Sequence, residues 1–154
     1  LGQEIADTVD LFRTRAADAD VELRTQLATR PLPVYADPEA LRRVLRNLVS
    51  NAVKFTDAGG TVTIRAASSN DVVRIEVEDT GIGIDPAFVP NLFDAFEQES
   101  TGNKRTHEGS GLGLAVAHRL VTLMHGRIDV ETEKGAGTCF MVRLPQHAAA
   151  TTPD

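Results

Sequence analysis

Apolar residues return at steps of three or four from the first position. Leu1, Ile5, Val9, Phe12, Ala16 and Ala19 form one stripe, which predicts an amphipathic opening helix whose face needs a partner. "VELRTQL" then alternates as a half-buried strand does. "RPLPVYADPEA" supplies prolines, a short extended piece and a helix start, with Asp37 as N-cap and Pro38 at the first helical position. The helix that follows carries Leu41, Val44, Leu45, Leu48, Ala52 and Phe55 on one side and ends near "TDAGG". "TVTIRAAS" and "DVVRIEVED" alternate on either side of a short polar turn, which predicts a β-hairpin. After "TGIGIDP" the pattern predicts a short helix over 86–93, capped by a second Asp-Pro pair with Asp85 in a capping role. Residues 97–110, "EQESTGNKRTHEGS", almost lack apolar side chains, and a loop of that length inside a compact domain usually has a function. The last third predicts a helix over 113–124, a strand "RIDVET", a glycine turn "EKGAG" and a strand "TCFMVRLP". Hairpins imply antiparallel pairing, so the alternation predicts an α+β fold. The expected form is a two-layer sandwich in which helices cover one face of a mixed, mostly antiparallel sheet. One domain is expected over 1–145, with 146–154, "QHAAATTPD", as a disordered tail.

The bulk numbers narrow the class. A chain of 154 residues is one domain's worth and can bury roughly 70% of its unfolded surface, so it needs no staples. At 42% hydrophobic and 25% charged it is not a largely disordered chain. The 22 acidic and 16 basic side chains leave a net charge of -6, which argues against a sequence-independent grip on nucleic acid or on an anionic membrane. Any polyanion must therefore meet a local basic cluster. Cys139 is the sole cysteine, which excludes an internal disulfide and fits a reducing compartment; inside "TCFMV" it reads as a buried strand residue. No signal peptide or membrane-spanning run is visible, and a first residue of Leu suggests a piece of a longer chain.

Three places carry candidate chemistry. In "LRNLVSNAVKFT", Asn47, Asn51 and Lys54 fall within about 60° of one another on the helix, beside the apolar face. Asn is a mediocre helix former, so two of them one turn apart call for a reason. They either border the core and bond a neighbouring loop, or face a cleft holding a hydrated metal and phosphates. "VEDTGIGIDP" ends a strand on Glu78 and Asp79 and then turns at Gly81 and Gly83. A carboxylate there can accept from an exocyclic amino group such as adenine's, whereas a guanine carbonyl would be repelled; it can also bond its own turn. "HEGSGLGLAV" places Gly109, Gly111 and Gly113 before a helical run. It has neither the spacing of a dinucleotide fingerprint nor the lysine of a P-loop. What remains is a flexible lid entering a helix N-terminus, where the N–H groups of Gly111, Leu112, Gly113 and Leu114 are set to meet a polyphosphate. Lys104 and Arg105 in that lid, with Lys54, supply local positive charge; a glycine turn for close helix packing is the alternative.

Taken in order and spacing, "NLVSNAVKFT", "DTGIGI", "FDAFEQ", "GSGLGL" and "GAGT" resemble the N box, first glycine box, F box, second glycine box and final glycine turn of one family. That family is the ATP-binding catalytic domain of sensor histidine kinases, a branch of the Bergerat-fold ATPases, and the resemblance covers about residues 1–145. It implies ATP and Mg²⁺ as cofactors, with Asn51 on the metal, Asn47 arranging its water shell and Lys54 on phosphate. It further implies that Asp79 reads adenine, that Gly81 and Gly83 shape the base pocket, and that Gly109, Gly111 and Gly113 hinge the lid. By the same resemblance Lys104 or Arg105 contacts the γ-phosphate, and Phe93 and Phe96 anchor the lid. A neutral carboxamide binds Mg²⁺ weakly, so the triphosphate must hold most of the metal.

No histidine of this chain has the acceptor context of such kinases: His107 lies in the predicted lid, His118 on a helix surface, His125 at a helix C-terminus and His147 in the tail. The resemblance therefore implies a catalytic module that donates the γ-phosphoryl of ATP to a histidine on a separate dimerisation domain, from which it passes to a response regulator receiver domain. Nucleic acid and direct membrane contact are not expected, and the location implied is cytoplasmic, free or as part of a membrane-anchored sensor. An anti-sigma-factor-type serine kinase and a nucleotide-sensing module without catalysis share the fold and stand as alternatives.

Overall fold

The computed structural model describes residues 2–27, 34, 36–83 and 110–146, with 110–113 as backbone alone. Helix α1 (Gly2–Asp18) buries Ile5, Val9, Phe12 and Ala16 of the predicted stripe, with Thr8 beside them. It stops because Asp20 takes a left-handed φ of 59°, which lets Val21 N–H reach back to the Ala16 carbonyl at 2.8 Å and Asp20 N–H to that of Ala17 at 3.0 Å. Helix α2 (Pro38–Lys54) starts as its sequence dictates, with an Asp37 carboxylate oxygen accepting from Ala40 N–H. Helix α3 (Ser110–Leu123) begins three residues earlier than periodicity predicts, so Gly111 and Gly113 belong to its first turn.

Five strands follow the chain as β1 (Glu22–Leu27), β2 (Thr61–Ser69), β3 (Val72–Asp79), β4 (Arg127–Glu133) and β5 (Gly137–Pro145). They lie in the order β1-β2-β3-β5-β4. β1 and β2, joined through α2, run parallel, and the other neighbours are antiparallel, giving the mixed sheet expected. The β2–β3 hairpin closes through Asn70 and Asp71, both at positive φ, as a two-residue turn with the twist of its strands requires.

Alternation decides which face is covered. Val73, Ile75 and Val77 of β3 join Phe140, Val142 and Leu144 of β5 in one core with Leu41, Leu45 and Leu48 of α2 and Leu114, Ala117 and Val121 of α3. α1 packs on α2 and β1, and α3 on α2 and β4, so the helices form one layer. The opposite face carries an ionic mesh, with Arg65 paired to Glu76 and Glu78, and Asp129 to Arg127 and Arg143. Two expectations change here. β1 is an exposed edge whose Leu23 alone is half-buried, because the helix layer reaches only its start. Cys139 is half-buried on the ionic face and not in the core. The predicted helix over 86–93, Asp85, Phe93, Phe96, His107, His147, the lid and nearly all of the tail lie outside the described residues.

Candidate functional site

β3 ends on two consecutive carboxylates, and the pleat sends them to opposite faces. Glu78 joins the ionic mesh, 2.6 Å from an Arg65 guanidinium nitrogen. Asp79 turns toward the helix layer and is 6% exposed. Its Oδ1 accepts Gly81 N–H at 2.9 Å and Thr138 N–H at 3.1 Å. Burial pushes this carboxyl above the ordinary aspartate range, the two backbone N–H groups pull it back, and Glu78 adds to the rise. The turn-bonding alternative is thus half of the truth: one oxygen holds its own turn and a neighbouring strand. Neither bond uses Oδ2.

Glycines bring the surrounding backbone close. A Cβ on Gly81 would overlap the Phe55 carbonyl, and the next residue, Ile82, donates its N–H to that same oxygen at 3.2 Å. Phe55 is the C-cap of α2 and donates its own N–H to the Asn51 carbonyl at 3.0 Å. The end of α2 and the turn after β3 are therefore one bonded unit. Gly83, at φ +76°, presses on the Glu133 carbonyl, and Gly135 N–H donates to Ile82 at 2.7 Å, which ties the same turn to the β4–β5 connection. Gly137 presses on the Asp79 backbone from the far side.

Along α2 the row edges the core as its spacing implies: Asn51 is buried, Asn47 half-buried and Lys54 exposed. The Lys54 ammonium stands 6.0 Å from the centre of the Phe55 ring. The C-terminal turn of α2, which carries Asn51 and Lys54, thus adjoins through Phe55 the turn that carries Gly81 and follows Asp79. Gly111, Leu112 and Gly113 lie at the start of α3, which packs on α2. Lys104, Arg105 and Gly109 lie outside the described residues.

For a divalent cation, the chain offers carboxamide oxygens. Among the described residues no trio of His, Cys, Asp or Glu is grouped to hold a metal. Hard oxygen donors suit Mg²⁺, but one or two neutral ones suit it only when other oxygens, such as phosphates, complete the shell. The residues fit a metal that arrives with a polyphosphate.

Two participants escape a sequence reading. Thr138 supplies the second N–H to Asp79 from 59 residues away, and Phe55 supplies a carbonyl where its apolar ring suggested core. The "GAGT" string was the only signal pointing toward Thr138.

Comparison with known proteins gives a consistent result. The sequence profile described as histidine kinase-, DNA gyrase B- and HSP90-like ATPase matches residues 36–148. Sensor histidine kinase RcsC of Escherichia coli (strain K12) is 43% identical over 119 residues, 77% of this chain but 12% of that protein. Histidine protein kinase DivJ of Caulobacter vibrioides is 42% identical over 135 residues, 88% of this chain and 22% of its own length. The chain thus spans well under a third of these relatives. Full-length ShkA in complex with AMPPNP superposes with a TM-score of 0.79 at 35% identity, over 93% of this chain and 29% of that one.

Proposed function

The chain belongs to the histidine kinase-, DNA gyrase B- and HSP90-like ATPase family, and from that premise we propose that it is the ATP- and Mg²⁺-binding catalytic domain of a sensor histidine kinase. The observation that carries the reading is the buried Asp79 carboxylate, fixed through one oxygen by Gly81 and Thr138 at the end of β3, beside the α2 terminus that bears Asn51 and Lys54.

In this reading Asp79 accepts the exocyclic amino group of adenine through Oδ2. Gly81 and Gly83 keep the backbone low enough to admit the base. Asn51 gives its carboxamide oxygen to Mg²⁺, with Asn47 orienting water one turn away and Lys54 meeting phosphate. A bound Mg²⁺ would supply neutralisation of the triphosphate's charge there. Gly111, Leu112 and Gly113, at the N-terminus of α3, offer N–H groups to the phosphates. Lys104 or Arg105 meets the γ-phosphate from the lid that Gly109 hinges. The chain positions and neutralises; no covalent intermediate forms on it. The bond from the γ-phosphorus to the β,γ-bridging oxygen breaks as one forms to an imidazole nitrogen, and ADP leaves. That imidazole belongs to a dimerisation domain elsewhere in the protein, and a response regulator receiver domain takes the group next.

We take the domain to extend over 1–145, a reading supported by α1, which contributes Ile5, Val9 and Phe12 to the same core although it precedes the matched residues. Among the described residues no helix is long and apolar enough to cross a membrane. We place the domain in the cytoplasm, where ATP is available.

Calorimetric titration with ATP and Mg²⁺ tests the reading. Asp79→Ala should weaken binding by about 2 kcal/mol, as loss of a buried hydrogen bond to a charged group does. Asn51→Ala should spare most ATP binding and abolish transfer to a supplied histidine-bearing domain. Unchanged ATP affinity in the Asp79 variant would remove the adenine assignment.

A further inference from the structure

Asp79, Thr138 and Thr132 stand directly opposite one another on β3, β5 and β4, a polar row across three strands. Thr138 is buried on the covered face, with Asp79. The Thr132 hydroxyl donates to the Gly137 carbonyl at 3.2 Å and lies 2.8 Å from the Thr138 hydroxyl. A hydroxyl has one proton, and a carbonyl can only accept. Both contacts are hydrogen bonds at once only when the Thr132 proton goes to Gly137 and the Thr138 hydroxyl is the donor in the shorter bond. Its proton then points toward β4, and its oxygen has only acceptor capacity left for anything bound next to Asp79.

We propose that Thr132 is a positioning residue for base selection: by drawing the Thr138 proton to itself, it makes the floor beside Asp79 acceptor-only. The proposal rests on the adenine reading above. An exocyclic amino group carries two protons and satisfies two acceptors, Asp79 directly and Thr138 directly or through water. A base with a carbonyl at that position meets two acceptors and no donor. Without Thr132 the Thr138 hydroxyl is released to rotate, and it donates to that carbonyl. Selectivity is then lost by gain of the wrong ligand, not by loss of the right one.

ATP and ITP differ at this edge of the base and serve as probes, titrated calorimetrically against the whole chain with Mg²⁺. Thr132→Val should raise ITP affinity about fivefold, one neutral hydrogen bond's worth, and change ATP affinity less than twofold. Thr132→Ser should restore the native ratio. If Thr132→Val does not fold, Thr132→Ala takes its place with the same expected shift. In a Thr138→Val background, which lacks the hydroxyl being aimed, the same change at Thr132 should leave the ATP-to-ITP ratio unaltered; a shift that persists there overturns the proposal. An unchanged ratio in the folded single variant also overturns it. Equal affinity of the unaltered chain for ATP and ITP, or an Asp79→Ala variant that binds ATP normally, is a different result, since it defeats the adenine reading itself.

Discussion

Gly137 and Asp79 meet backbone to backbone where β5 begins and β3 ends: a Cβ on Gly137 would overlap the Asp79 carbonyl oxygen, and the glycine holds a φ of +125°. Gly135, two residues earlier, also has a positive φ, +88°, but nothing lies within 4 Å of where its Cβ would stand. The pair separates backbone strain from collision. Gly135→Ala should cost about 1 kcal/mol, the left-handed penalty alone. Gly137→Ala should cost about 3 kcal/mol and weaken ATP binding as Asp79 is displaced. Thermal melts with calorimetry check both, and equal costs would mean that the strand end yields to the added carbon.

Asp79 predicts a trade of stability against binding. Its raised folded-state pKa means that ionisation is disfavoured on folding. The penalty is absent below the ordinary aspartate value of 3.8, grows as pH rises toward the folded value, and is fully present above it. Asn retains an oxygen for Gly81 and Thr138 N–H but carries no charge to desolvate. Asp79→Asn should melt above the parent at pH 7, with the gain vanishing as pH falls through 3.8, while ATP affinity drops by about 2 kcal/mol. Melting curves across pH, set beside titrations at pH 7, read both effects.

The Cys139 thiol is pushed up to about 11, first by burial and then by Glu76 and Glu78 on the ionic face. At pH 8 it should react with iodoacetamide on the order of a hundredfold more slowly than an exposed thiol, in proportion to its thiolate fraction. Because the folded pKa is the higher, ionisation costs stability as pH climbs from the ordinary thiol value of 9.0 through about 11. Mass spectrometry of timed alkylation, native and unfolded, provides the comparison; equal rates would show the thiol to be open.

His125 ends α3 at a φ of 65°, with Gly126 N–H reaching back to Val121 at 2.9 Å and its own N–H to Thr122 at 3.0 Å. This motif prefers glycine at the left-handed position. His125→Gly should stabilise by about 1 kcal/mol, raising the melting temperature by roughly 2–4 °C for a domain of this size. A lower melting temperature would assign the imidazole a stabilising contact larger than that strain.

Local rules left clear marks in the chain. The α1 stripe, the Asp37-Pro38 start of α2, the hairpin and the Asn47, Asn51, Lys54 row each follow from side-chain spacing or from one residue's effect on its own backbone. Where covering depends on distant elements, spacing misleads: "VELRTQL" alternates properly, yet β1 lies at an edge that the helices barely reach, and Cys139 shares an apolar run but faces the ions.

The sequence by itself determined most of the described elements, the order of the motifs and the choice of Asp79 and Asn51 as candidates, because helical and strand periodicity are properties of consecutive residues. Only the tertiary structure decided that Glu78 faces the ions while Asp79 faces the helices, that Thr138 N–H grips Asp79, and that Phe55 joins α2 to the Gly81 turn. Those contacts come from strand pairing and layer packing between segments far apart in the chain, where burial and the need to satisfy every backbone N–H select partners that no local pattern encodes.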